Sequence, residues 1–136
     1  MRSYSYFDHD ADIGIVGRGE SLEEAFVSAA EAVFAIMAVT LPERPEIRIV
    51  FSFEEEDAEF AFVRWLNTLI CYAQSRSLLL GRFALTHEGT RWEGEAWGEA
   101  WSPQTQRGVE VKGATLTMLS VTEKEGGWEA RCIVDV

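Results

Sequence analysis

Cysteine, histidine, proline and basic side chains are all scarce in this chain, and each shortage closes off a class of function. The two cysteines, Cys71 and Cys132, sit far apart inside apolar patterns and outside any CxxC spacing. They read as core thiols, which argues against a disulfide framework, a zinc site or a thiol nucleophile. The only histidines are His9 and His87. No HxxxH, G-x-S-x-G or phosphate-loop spacing occurs, so no nucleophile and base stand out, and His87, just before a hairpin turn, reads as a surface residue. Gly14, Gly17 and Gly19 do not have the spacing of a dinucleotide fingerprint and are expected in a loop. No stretch approaches the roughly 20 apolar residues of a membrane helix, and Met1 to Tyr6 does not resemble a signal peptide. A cytoplasmic protein without membrane contact is expected. With 12 basic against 23 acidic side chains the net charge is -11. That balance opposes close approach to nucleic-acid phosphates, so direct nucleic-acid binding is not expected.

What is present is material for a core. The 136 residues are 47% hydrophobic, with eight Phe, five Trp and three Tyr. No repeat, linker or low-complexity segment interrupts them, and residues 1–136 are expected to form a single domain. Tyr4 to Asp8 reads as a first strand. Ser21-Leu22-Glu23-Glu24 is a capping box that starts a helix, whose apolar stripe runs through Leu22, Ala25, Phe26, Ala29, Val33, Phe34 and Met37. Ile47, Ile49, Phe51 and Phe53 alternate with mostly polar neighbours, as in a half-buried strand. After the acidic run Glu54 to Asp57 a second amphipathic helix carries Phe62, Val63, Leu66, Leu69, Ile70 and Ala73, ending near Gln74 to Ser77. From Leu79 onward the pattern is a meander: strands at 82–87, 91–101, 109–112, 115–122 and 128–136 separated by turns. In the 91–101 strand Gly94, Ala96, Gly98 and Ala100 share a face expected to pack inward. Trp97 and Trp101 share the other with Glu93, Glu95 and Glu99, either as a protein-binding surface or as a sheet face covered by a loop. The fold class is α+β: two amphipathic helices packed on a mainly antiparallel multi-stranded sheet.

The polar feature that stands apart is Phe7-Asp8-His9-Asp10-Ala11-Asp12-Ile13-Gly14. Three alternating carboxylates repel one another, and a hard divalent cation with oxygen ligands relieves that repulsion. A solvated acidic turn is the plain alternative. An EF-hand loop is excluded, because Ile13 and Gly19 stand where it needs Gly and Glu. Any further ligands must come from elsewhere, and a sheet that brings the first and last strands together would supply them from Asp135 and the terminal carboxylate. A second polar segment, 108–115, places Glu110 and Lys112 on one face of an expected strand.

Together these segments resemble the archease family, the small acidic proteins that assist the GTP-dependent tRNA-splicing RNA ligase. The resemblance rests on the Phe7 to Gly14 segment, on Ser21 to Phe26 with Ala29-Ala30, on Val111-Lys112 and on Ile133-Val134-Asp135-Val136, and so spans the chain as one archease-like domain. It implies a divalent-metal site with carboxylates from Asp12 and Asp135 and a main-chain or terminal oxygen from Val136; Asp8 and Asp10 are weaker metal candidates. Calcium is the first expectation for the cation, with magnesium or manganese as alternatives. His9 and Lys112 are implied as supporting or partner-contact residues. The resemblance also implies an activator of the ligase, promoting its guanylylation and multiple turnover, that is not itself an enzyme. The chain departs from the family where Asp10 replaces a usual Thr. It departs again after Lys112, where Gly113-Ala114-Thr115-Leu116-Thr117 lacks the family's Tyr and His. Two other readings compete: a metal-dependent hydrolase, in which the ion activates water, and a general chaperone or scaffold using the Trp97 and Trp101 face.

Overall fold

The computed structural model describes residues 2–136. The chain runs β1 (Ser3–His9), β2 (Asp12–Gly19), α1 (Leu22–Ala35), β3 (Ile47–Glu54), α2 (Ala58–Arg76), β4 (Leu78–Glu88), β5 (Arg91–Ala100), β6 (Gly113–Ala114), β7 (Ser120–Lys124) and β8 (Gly127–Asp135). Every strand pairing is antiparallel, as expected, but the strands form two sheets instead of one. One has the order β1-β2-β8-β6, with β7 also on β8; the other is β3-β5-β4.

Both helices begin where their caps dictate. Ser21 Oγ accepts the Glu24 N–H at 3.1 Å while Glu24 accepts the Glu20 N–H at 2.9 Å, and Asp57 accepts the Glu59 and Phe60 N–H groups at 2.8 and 3.1 Å. Each satisfies donors that the first turn cannot. Helix α1 is buried on nearly every side because it lies between the sheets. Towards the five-stranded sheet its backbone meets Gly17, where a Cβ would stand 2.3 Å from the Ala25 carbonyl oxygen. Towards the three-stranded sheet, Phe26 stacks on Trp92 and Phe34 packs on Phe83. Helix α2 joins this core through Phe62 against Phe26 and through Trp65, whose indole N–H donates to the Phe26 carbonyl at 2.9 Å.

The small-residue face of β5 packs inward except at Ala100, which is exposed at the strand's end. Trp92, Gly94, Ala96 and Gly98 are buried, and Gly94 lies against Phe51 and Trp65. On the other face Trp97 and Trp101 are half-buried under Arg82 and Arg107, whose guanidinium carbons lie 4.6 and 4.0 Å from the ring centres.

Several expectations are corrected. Gly14, Gly17 and Gly19 are not loop residues; they lie in β2, where the absence of a side chain admits the Phe7 ring and the α1 backbone. Residues 109–112 form no strand, and the strand expected at 115–122 starts only at Ser120. Cys71 is exposed on α2; only Cys132 is a core thiol, and burial pushes its pKa up to about 12. His87 is exposed, as expected, but it is not idle there: its ring stacks on Trp92 at 3.7 Å and 6°. Among the described residues, no helix is long and apolar enough to cross a membrane.

Candidate functional site

The acidic segment folds as the tip of the β1–β2 hairpin. His9 pairs with Asp12 across the two-residue turn Asp10-Ala11, and Asp10 takes the left-handed φ of 52° that such turns favour and that Asp tolerates. Next to the turn, the Phe7 ring covers Gly14; a Cβ at residue 14 would fall 2.3 Å from it.

Register then carries the hairpin tip to the end of the chain. β2 and β8 pair with Ile13 opposite Val134, so one step further along the same ladder Asp12 faces Asp135. The Val136 N–H donates to Asp12 Oδ1 at 3.3 Å, a link across 124 positions of sequence. On the far side of β8, Asp135 pairs with Gly113, and the Lys112 N–H donates to the Asp135 carbonyl at 2.8 Å. His9, Asp12 and Asp135 thus occupy one row across three strands, with Val136 and Lys112 beside it. Asp12 and Val136 are half-buried, while Asp135 and Lys112 are exposed.

The weaker candidates sit differently. Asp8 pairs with Ile13 and by strand alternation projects from the opposite face of the sheet to Asp12. Asp10 is almost fully exposed at the turn, with a carboxylate oxygen 3.9 Å from His9 Nδ1. Among the described residues no three His, Cys, Asp or Glu side chains converge closely enough to hold an ion by themselves. The row offers two carboxylates and backbone oxygens, an all-oxygen donor set chemically suited to a hard cation. Glu110 does not share a strand face with Lys112; it lines a cavity of about 200 Å³ with Met37, Gln74, Trp101 and Arg107.

Asn67 is a residue that sequence reasoning did not single out. From α2 its Oδ1 accepts the Ala114 N–H at 2.8 Å and its Nδ2 donates to the Ala114 carbonyl at 3.2 Å, holding β6 where it meets Asp135. The available signal was an Asn inside an otherwise well-formed helix, where its side chain competes with the backbone and weakens the helix.

Comparison with known proteins agrees with this architecture. Residues 4–136 match the model of the archease protein family (MTH1598/TM1083). The chain is 36% identical to protein archease of Sulfolobus acidocaldarius and 32% identical to that of Sulfurisphaera tokodaii, each match covering all of both chains. The solution structure of Methanobacterium thermoautotrophicum protein 1598 superposes with a TM-score of 0.80 at 27% identity, covering 98% of this chain and 99% of that one. A Thermotoga maritima protein described as an archease and possible chaperone shares the fold, with a TM-score of 0.66 at 19% identity over 96% and 94% of the two chains. By the family match along nearly its whole length and by these relatives, the chain belongs to the archease family.

Proposed function

We propose that this protein is a divalent-metal-binding accessory protein that activates the GTP-dependent tRNA-splicing RNA ligase, promoting guanylylation and repeated turnover while leaving the chemistry to the ligase. Family membership supports the accessory role. The observation that carries the site is the hydrogen bond from the Val136 N–H to Asp12, which brings the end of β8 against the hairpin tip with Asp135 alongside. Asp12 and Asp135 would supply carboxylates to the ion and Val136 a backbone oxygen. Calcium suits such ligands best; magnesium and manganese are the alternatives. When bound, the ion would neutralise the row and turn it into a contact surface for the ligase. His9 and Lys112 flank that row and would touch the partner.

The net charge of -11 favours a protein partner over RNA itself, and a cytoplasmic location goes with this reading. A chaperone surface built on Trp97 and Trp101 has less support, because both rings are already capped by arginines. The test is a guanylylation time course of the ligase with and without this protein and with and without chelator. Stimulation that disappears in Asp12→Asn and Asp135→Asn supports the proposal; full stimulation by both variants removes the metal role. Phosphoester turnover by this protein alone, lost on chelation, would point to the hydrolase reading instead.

A further inference from the structure

We propose that the free edge of β1 is an interface between two copies of this chain, which pair as an antiparallel β1–β1 ladder centred on Ser5. The hairpin fixes which backbone groups that edge offers. Across a two-residue turn the closing pair, His9 and Asp12, exchanges both backbone hydrogen bonds, and such pairs recur at alternate positions: Phe7 with Gly14, Ser5 with Val16 and Ser3 with Arg18. The intervening residues Tyr4, Tyr6 and Asp8 therefore turn their N–H and C=O groups away from β2. Among the described residues β1 pairs with β2 alone and ends the sheet. Edges of this kind are usually blocked by proline, a bulge or a charge pointing inward. β1 has seven residues in unbroken register and no proline, with Tyr4 43% and Tyr6 41% exposed.

The sequence of the edge selects a second copy as its occupant. Outward-turned residues must face one another to bond, and centring the ladder on Ser5 sets Tyr4 of each copy opposite Tyr6 of the other. Arg2 of each then faces Asp8 of the other, so one symmetric pairing joins two cation–carboxylate pairs and two aromatic pairs. Centring on Tyr6 instead would set Tyr4 against Asp8 and lose that match. Within one chain Tyr4 and Tyr6 already meet edge to face at 5.8 Å, and Arg2 holds Glu31 only at 3.8 Å on an open surface. Leu41, 62% exposed, flanks Tyr4 around a hollow lined by Phe34, Leu80 and Phe83, which extends the apolar rim. The charge of -11 on each copy opposes association at long range, but salt screens it beyond about 8 Å at physiological ionic strength.

Sedimentation equilibrium on the full chain over a wide concentration range tests the proposal, with cross-linking in a Cys71→Ser background. At the two-fold centre Ser5 faces Ser5 as a non-hydrogen-bonded pair, with Cβ atoms about 4.5–5.5 Å apart. Ser5→Cys should therefore oxidise to a disulfide-linked dimer, and Ser3→Cys, which faces Phe7, should not. Asp8→Arg should weaken the dimer on the order of tenfold, and adding Arg2→Asp should restore it. Tyr4→Lys, on the same exposed edge, is a second route to the same loss. A chain that stays monomeric at every concentration without Ser5→Cys cross-links overturns the proposal. So does a dimer indifferent to Asp8→Arg, a Ser3→Cys cross-link as fast as that of Ser5→Cys, or an edge that binds foreign extended peptide while the chain remains a monomer.

Discussion

Asn67 pairs with Ala114 as a neighbouring strand would, meeting both its backbone N–H and its carbonyl from the middle of α2. The two-residue strand β6 needs that support, since among the described residues its only ladder partner is the end of β8. Asn67→Ala leaves two backbone groups without partners and should cost about 1–3 kcal/mol in urea unfolding. The same variant should speed hydrogen exchange at the Ala114 amide more than at amides in β4. Because Gly113 lies beside Asp135, the loosening reaches the candidate site. Equal exchange in variant and parent would remove Asn67 from that role.

Gly17 sets how closely α1 approaches the five-stranded sheet. A Cβ there would lie 2.3 Å from the Ala25 oxygen and 2.5 Å from the Ala29 nitrogen, and backbone atoms of a helix cannot swing aside as a side chain can. Gly17→Ala should therefore destabilise the fold by about 3 kcal/mol or more, beyond ordinary overpacking. Thermal unfolding followed by circular dichroism reads the effect directly; a change under about 0.5 kcal/mol, the size expected of an unconstrained surface site, would contradict it.

Gly17 also marks where the sequence could be read and where it could not. Ser21 declared the first helix start because a cap acts over three residues, the acidic run Glu54 to Asp57 marked the second through its charge, and the alternation of Ile47 to Phe53 declared β3 because a strand's period is local. The glycines of β2 looked like a loop because the helix and the ring that require them lie elsewhere in space. The same limit applies to Val111, fully buried outside any strand, which alternation with Val109 made look like strand. At the candidate site the acidic segment was plain and Asp135 was suspect once first and last strands could meet. The opposite faces of Asp8 and Asp12 follow from a register set by the turn at Asp10. Asn67 left almost no local trace, because its partner is 47 positions away.

Tyr6 supplies a pH test. Burial, with a smaller contribution from Tyr4, pushes its phenol up to about 12 from the usual 10.0, and its hydroxyl donates to the Ala32 carbonyl at 2.7 Å. The proton is held more tightly in the folded state. The stabilisation is thus full below the unfolded pKa of about 10 and is lost as pH rises through the folded value near 12. Ultraviolet titration should show a late-ionising phase, and Tyr6→Phe should remove it. The loss of its hydrogen bond should cost about 1 kcal/mol at neutral pH. A titration that Tyr6→Phe leaves without any change in its late part would contradict the burial of the Tyr6 hydroxyl.

Asp12 has two separable duties under the proposed function: it accepts the Val136 N–H at 3.3 Å, and it would give a charged oxygen to the cation. Asp12→Asn keeps an acceptor of the same shape and removes the charge, whereas Asp12→Ala removes both. Without added metal, Asp12→Asn should match the parent within about 0.5 kcal/mol, while Asp12→Ala should lose about 1 kcal/mol. Calcium at a hundred times its dissociation constant should raise the parent's stability by about 2.7 kcal/mol, since an ion that binds only the folded state stabilises it by mass action. Neither Asp12 variant should gain this, nor should Asp135→Asn. Asp8→Asn should keep most of it, because Asp8 projects from the other face of the sheet. Calcium stabilisation that survives in Asp12→Asn and vanishes in Asp8→Asn would move the ion to the helix side of the hairpin and leave the Asp12–Val136 contact as a purely structural clasp.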